Sequence, residues 1–213
     1  MQDFERNLYA NCPECRAWFR SPLDPTDGEE SKAGASLYTD GLLQVQNEPD
    51  LSFGVCSGCN ALSSYLDWGG YMLDDQEWIH GKFVSLIPAT FTQAFQFCEQ
   101  ESRSGVGVYP LALMRFYLWQ LGNDVRRTGQ PDLPLSPNEE LNLLKFIGLA
   151  HNQPNFALYT GMALRALGRF EESIQILEGC EKDSKIDRLL ANRNVELAIT
   201  RNAGLGTVWF GAT

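Results

Sequence analysis

Apolar positions fall into two regimes along the 213 residues of the chain. Up to about residue 90 they come in short runs: Leu37-Tyr38, Leu42-Leu43-Gln44-Val45, Leu51-Ser52-Phe53-Gly54-Val55 and Ala61 to Leu66. Gly, Pro, Asp, Asn and Ser separate these runs, a pattern that predicts strands and hairpins, with Asp40-Gly41 as one turn. From about Phe91 the apolar residues recur every three or four positions, which predicts amphipathic helices. The fold class is therefore α+β, with a first domain over 1–90 and a helical domain over 91–213.

The helical half reads in five or six pieces. Phe91, Ala94, Phe95 and Cys98 begin a first helix that ends near Ser104-Gly105. A second opens at Pro110 with Leu111, Met114, Leu118, Leu121 and Val125 on one stripe and Ala112, Phe116 and Trp119 on another. Being apolar on two faces, it should be central. Its end, Asn123-Asp124-Val125-Arg126-Arg127, sets Asn123/Arg126 and Asp124/Arg127 three apart. That is an ordinary charged helix end, or a partly buried network anchoring the N-terminal module. Ser136-Pro137-Asn138-Glu139 is a capping box that starts a helix through Leu141, Leu144, Ile147 and Gly148 to His151, whose place at a helix end suits capping rather than catalysis. Ser184 to Asp187 caps a last helix reaching about Asn202. In the tail, Val208-Trp209-Phe210 suits a docked extended segment or a partner contact.

Candidate chemistry sits in the first ninety residues. Cys12-Pro13-Glu14-Cys15 and Cys56-Ser57-Gly58-Cys59 are two C-x-x-C pairs. Two residues between thiolates let one tight turn aim both sulfurs at a single ion, and two such turns complete the tetrahedral shell that zinc prefers. The ligands expected of one structural zinc are Cys12, Cys15, Cys56 and Cys59. Between the pairs, Ser21 to Gly34 is rich in Pro, Asp, Gly and Ser and reads as a solvated loop. A thioredoxin-type redox pair is the competing reading, but it needs a helix N-terminus inside a βαβ unit, and none is legible. A catalytic metal competes less well, since four thiolates leave no position for water. His80, twenty-one residues beyond Cys59, reads as a surface or core side chain, not a substitute ligand. Trp68, Tyr71, Trp78 and Phe83 form an expected apolar seam. Cys98 and Cys180 have no C-x-x-C partner and read as small buried residues.

Composition narrows the function. Seventeen Lys+Arg against twenty-seven Asp+Glu give a net charge of −10, which disfavours a polyanionic partner. The excess is lopsided, with 5 basic and 14 acidic residues in 1–90 and 12 and 13 in 91–213. No run approaches the roughly 20 apolar residues of a membrane span, and the N-terminus lacks a signal peptide's pattern, so the expected address is the cytoplasm, where thiols stay reduced. Phosphate-binding glycine loops, nucleophile elbows and H-E-x-x-H are absent, so no enzyme is expected.

The paired C-x-x-C knuckles and their flanking strands, over about residues 8–68, resemble zinc ribbons. Ribbons often carry Gly just after the second Cys of a knuckle, where φ is positive. This chain has Arg16 and Asn60 there, and Arg16 predicts a distorted first knuckle. In the second half, Ala157, Gly161, Leu164, Gly168, Phe170, Ser173, Leu177 and Cys180 resemble the small, large and turn positions of a tetratricopeptide (TPR) hairpin over about 155–181. Only one repeat is legible, so its neighbours must be the helices near 110–128 and 137–151. The whole order is similar to small uncharacterised bacterial proteins with an N-terminal zinc ribbon and a C-terminal TPR-like domain. TPR-like helices present surfaces rather than reactive groups, so the expected function is a non-catalytic protein-binding module, and for an acidic bacterial protein of this type an adaptor or a toxin-neutralising immunity protein with a basic protein partner. The clusters Asp24, Asp27, Glu29, Glu30 and Asp74, Asp75, Glu77 would steer that partner, and Tyr38 and Trp78 are candidate anchors. A nucleic-acid-associated ribbon is the alternative, and it requires Arg16, Arg20 and Lys32 to form a basic patch.

Overall fold

The computed structural model describes residues 8–20, 36–38, 43–44, 53–64, 67, 69–72, 83–182 and 184–208. Its strands are β1 (Leu8–Asn11), β2 (Trp18–Arg20), β3 (Ser36–Tyr38), β4 (Leu43–Gln44), β5 (Phe53–Cys56), β6 (Leu62–Ser64), β7 (Gly69–Met72), β8 (Leu86–Pro88) and β9 (Thr207–Val208). Its helices are α1 (Phe91–Ser104), α2 (Val108–Gly122), α3 (Asp124–Arg127), α4 (Pro137–Ala150), α5 (Ala157–Ala166), α6 (Phe170–Gly179) and α7 (Lys185–Ile199). The chain forms two units, Met1–Gly34 with Asn47–Phe97, and Ala35–Gln46 with Cys98–Thr213. Small antiparallel sheets near the N-terminus followed by helices make the class α+β, as the two apolar regimes predict.

The first unit holds two three-stranded sheets, in the orders β2-β1-β7 and β6-β5-β8. Each C-x-x-C pair is the turn of a hairpin. Asn11 lies opposite Trp18 across the first turn, and Val55 lies opposite Leu62 across the second. The segment leading into β8, which the apolar pattern did not announce, straps the two hairpins together. Phe83 bridges Trp18 in parallel, the Val84 N–H donates to the Trp18 carbonyl (2.8 Å), and the Ser57 N–H donates to the Ser85 carbonyl (3.0 Å). The core cluster around the cysteines is small, Ala10, Cys12, Phe19 and Cys56 with Ala61, Val84 and Leu86 against them, and Phe53 and Ala94 are buried elsewhere in the unit. Of the expected apolar seam, Phe83 is 50% exposed and lies on the strap. The other seam residues, Trp68, Trp78 and the Tyr71 side chain, lie outside the described residues, as do His80, the Ser21 to Gly34 loop and the Asp40-Gly41 turn.

In the second unit α2 is central, as its two apolar faces require, with Leu111, Met114, Phe116, Leu118 and Trp119 buried. It opens two residues before Pro110, because a proline in the first helical turn loses no hydrogen bond. It breaks at Asn123, and Val125 on α3 is 52% exposed, away from the stripe it was expected to extend. Ser136 and Glu139 form the reciprocal cap of α4, and Ser184 and Asp187 that of α7. The face of α4 turned inward carries Asn142, Leu143, Phe146 and Ala150. Leu141 and Leu144, on the stripe the sequence suggested, are exposed. Apolar residues fit both faces of α4, and hydrogen bonding decides between them. The Asn142 side chain donates to the Arg115 carbonyl (2.9 Å), and Phe146 packs against Phe116 and Phe156.

Helices α5 and α6 form the expected hairpin around Gly168. Ser173, wholly buried, donates its hydroxyl to the Gly161 carbonyl (2.7 Å). A Cβ at position 161 would come within 2.6 Å of Leu177, so only glycine lets the two helices approach this closely. Cys180 caps α6 and packs against the helical core as a small side chain, while Cys98 is fully buried. The tail docks as an extended segment. β9 pairs with β3, with Leu37 opposite Val208, so Ser36–Tyr38 and Leu43–Gln44 belong with the helical unit. Trp209 and Phe210 lie outside the described residues. Among the described residues no helix is long and apolar enough to cross a membrane.

Candidate metal centre

The two knuckles repeat one backbone geometry. The Cys12 N–H donates to the Ala17 carbonyl and the Cys56 N–H to the Ala61 carbonyl, each at 2.9 Å. The Arg16 N–H donates back to Cys12 (3.0 Å), and the Asn60 N–H donates back to Cys56 (2.7 Å). Arg16 and Asn60 both turn left-handed, at φ 60° and 61°. The first knuckle is thus not distorted, contrary to what Arg16 predicts. The closing hydrogen bonds of the turn fix the conformation, and Arg16 accepts its cost. Ala17 and Ala61, two positions past each second cysteine, complete the repeat. Cys-x-x-Cys-x-Ala stands at both places in the sequence and is the signal that would have marked the pair as equivalent.

These turns bring four sulfurs together. All four lie within 4.8 Å of one another, and the Cys12–Cys59 and Cys15–Cys56 sulfurs are 3.7 Å apart. A tetrahedron with metal–sulfur bonds of about 2.3 Å has edges of about 3.8 Å, so the donors are positioned to bind one metal ion. Cys12 and Cys56 are buried, whereas Cys15 and Cys59 face solvent. Neither Cys98 nor Cys180 joins the group. Gly58 is the residue this close approach requires. A Cβ there would sit 2.8 Å from Val84 and 3.5 Å from the Cys56 sulfur, which instead accepts the Gly58 N–H at 3.4 Å. Val84 and Gly58 escape a reading based on ligand spacing alone, since neither donates to the ion.

The electrostatics of the sulfurs are unequal. The Ala17 N–H leads the effects that bring the Cys15 thiol down to about 7, while burial raises Cys12. At Cys59 the Ala61 N–H lowers the thiol, but burial and the three neighbouring sulfurs win and push it up to about 12. Such a thiol is protonated at neutral pH, and a cation that takes its sulfur displaces the proton. Cys98 is likewise pushed up to about 12 by burial and stays an inert thiol.

Replacing Arg16 by Gly should stabilise the metal-loaded chain by about 0.5–1 kcal/mol, because a left-handed non-glycine residue costs about 1–2 kcal/mol and glycine gives part of this back in unfolded-chain entropy. Urea unfolding read by tryptophan fluorescence would measure it. A lower midpoint in Arg16→Gly would mean that the arginine side chain contributes contacts outweighing its backbone strain.

The other sequence candidates fall elsewhere. His151 caps α4 and is exposed, as expected of a helix end. Asn123, Asp124, Arg126 and Arg127 form a network, and it is partly buried: Asn123 is 3% and Arg126 5% exposed, which favours the network over an ordinary solvated helix end. Both three-apart pairs are made, Arg126 Nη1 to Asn123 Oδ1 (3.2 Å) and Arg127 Nη1 to Asp124 Oδ1 (2.6 Å). Arg126 also donates to the carbonyls of Gly122, Leu133 and Pro134, all at 2.9 Å, and to Glu139 at 2.5 Å. Those bonds hold the connection between α3 and α4.

No protein-family model matches the chain, and no curated protein or solved structure proves similar to it.

Proposed function

We propose that this chain is a non-catalytic protein-binding module whose N-terminal unit is held together by one zinc ion, in the manner of a bacterial adaptor or toxin-neutralising protein. The observation that carries the zinc reading is the 3.7 Å spacing of opposed sulfurs within a four-cysteine group. Four soft thiolates suit zinc, and a shell closed by four of them has no place for a reactive water. A site of that kind supports a fold and performs no reaction.

Protein binding is supported by the outward face of α4. Leu141 is 41% and Leu144 49% exposed, with the open surface of Gly148 one turn further on. Alongside them the acid-rich composition favours a basic protein over a nucleic acid. Of the basic patch that nucleic-acid binding would need, Arg16 is exposed, and Lys32 and the Arg20 side chain lie outside the described residues. The acidic clusters at 24–30 and 74–77, and the anchors Tyr38 and Trp78, also have side chains outside them.

The test compares the native chain with Leu141→Glu/Leu144→Glu in affinity capture from cells of the source organism, read by quantitative mass spectrometry. A partner enriched by the native chain and depleted at least tenfold with the variant supports the reading. Equal recovery by both chains, or submicromolar binding of a random DNA or RNA oligonucleotide at 0.15 M salt, overturns it.

A further inference from the structure

The four-cysteine group can join its two knuckles by a second kind of bond. Cys12 lies 3.7 Å from Cys59 and Cys15 lies 3.7 Å from Cys56, sulfur to sulfur. Each pair links one knuckle to the other, across 47 and 41 positions of sequence. Each pair also sets an exposed cysteine against a buried one, Cys59 against Cys12 and Cys15 against Cys56. An oxidant arriving from solvent therefore meets one member of each pair and finds the other close behind it. That is the arrangement of a reactive thiol and its resolving partner.

The sulfurs are not alone in keeping the knuckles face to face. The strap holds both: the Val84 N–H donates to Trp18 beside the first, and beside the second Ser57 and Ser85 bond reciprocally. There the Ser57 N–H donates to the Ser85 carbonyl and the Ser85 N–H to the Ser57 hydroxyl, both at 3.0 Å. Closing a 3.7 Å pair to the roughly 2.05 Å of a disulfide draws its sulfurs together by less than about 2 Å. Disulfides inside each C-x-x-C, which the sequence spacing alone suggests, would close rings within single turns and leave the hairpins unjoined. Bonds between the knuckles close far longer stretches of chain, and a longer closed loop constrains the unfolded chain more.

The geometry points to a second, oxidised state of this unit, free of metal and closed by two disulfides, Cys12–Cys59 and Cys15–Cys56. The oxidant is a peroxide. Its O–O bond breaks as the Cys15 sulfur takes one oxygen to become a sulfenic acid, and the other oxygen leaves as water. The Cys56 sulfur then attacks the Cys15 sulfur, the S–O bond breaks, and a second water leaves. Two thiols thus give up two electrons and two protons while one peroxide becomes two waters; where a thiolate reacts, its proton comes from solvent. Cys59 and Cys12 repeat the exchange with a second peroxide. Each disulfide withdraws two sulfurs from the ligand set, so an ion held there is given up. The oxidised state rests on the zinc reading only for the identity of that ion. Metal and disulfides are then alternative staples at one place, and the unit keeps its fold under oxidation that would dismantle a site without such pairs.

The test oxidises the full-length, metal-loaded chain with hydrogen peroxide and reads three quantities. A chromogenic chelator measures the ion given up. Cleavage of the unreduced protein after Glu14 separates Cys12 from Cys15, and electron-transfer fragmentation of the linked peptides assigns the pairs. Amide hydrogen exchange follows residues 8–20 and 53–64. The expected result is about one ion given up per two peroxides consumed, with Cys12–Cys59 and Cys15–Cys56 as the linked pairs. Exchange in both segments should stay within about threefold of the loaded chain, against roughly a hundredfold acceleration when a chelator strips the reduced chain. Bonds within the knuckles, any other pairing, oxidation that ends at sulfinic acid, or exchange as fast as in the stripped reduced chain would overturn the proposal. A starting protein without zinc would count against the zinc reading instead, and the peptide map decides the pairing in either case.

Discussion

Stripping the metal from this chain, or replacing Cys12 by Ser, is expected to unfold the N-terminal unit while most of the helical circular-dichroism signal survives. The reason is the composition of the two cores. In the first unit the core cluster around the site has four buried members, and two of them, Cys12 and Cys56, are themselves proposed ligands beside Ala10 and Phe19. So small an apolar cluster cannot offset the conformational entropy of its strands, whereas structural zinc contributes about 10–16 kcal/mol in comparable small sites. The helical unit has a core of its own in Phe116, Trp119, Leu143, Phe146, Met162 and Leu177. Elemental analysis should give one zinc per chain, near zero in Cys12→Ser, and an unchanged content in Cys180→Ala. Loss of the helical signal together with the metal, or zinc retained by Cys12→Ser, would disprove this account.

The largest single effect in the helical unit should come from Arg126. Replacing it with Met leaves the carbonyls of Gly122, Leu133 and Pro134 without their donor and Glu139, 12% exposed, without its cation. Removing one partner from a buried pair costs roughly 3–5 kcal/mol, or about 10 °C in Tm at ~3 °C per kcal/mol. Arg126→Lys should recover little, because an ammonium cannot reach four acceptors in the geometry of the guanidinium fork. Arg201→Ala, which breaks the exposed pair with Glu171, should cost about 0–1 kcal/mol and serves as the contrast.

The acid dependence of stability follows from the same network. Burial raises the Glu139 carboxyl, but the bonds from Arg126 and Ser136 outweigh it and hold the group below the usual carboxylate range. A depressed folded value means that the contribution is complete above the ordinary carboxylate pKa of about 4.3 and is lost as pH falls through the folded value. Glu139→Gln should therefore flatten the acid limb of a stability-versus-pH curve. If Arg126→Met costs less than 1 kcal/mol at pH 7, the network is not what holds the α3–α4 connection.

What could be read from the sequence was set by local chemistry. The cysteine pairs announce themselves because two thiolates on one turn need only two intervening residues, and the caps at Ser136 and Ser184 are complete within four positions. Where several local solutions fit, the pattern was ambiguous. On α4 Leu141 and Leu144 are as apolar as Leu143 and Phe146, and the choice falls to a hydrogen bond from Asn142 to a residue on another helix. The Asn123 to Arg127 run has the composition of a solvated helix end, and Arg126 within it is buried because its acceptors at Leu133 and Pro134 come from the connection that follows, which no periodicity describes. The strap at Val84 and the pairing of β3 with β9 depend on partners distant in sequence and left no local trace.

That last pairing has a consequence for how the chain is made. Strand β3 precedes all seven described helices and β9 follows them. During vectorial synthesis the edge of β3 that β9 will occupy therefore waits until every one of those helices has been polymerised. An unpaired strand edge is a template for other chains, so the nascent protein carries that liability across the synthesis of the whole helical unit. Emergence of β9, rather than of any one helix, is the event that removes it.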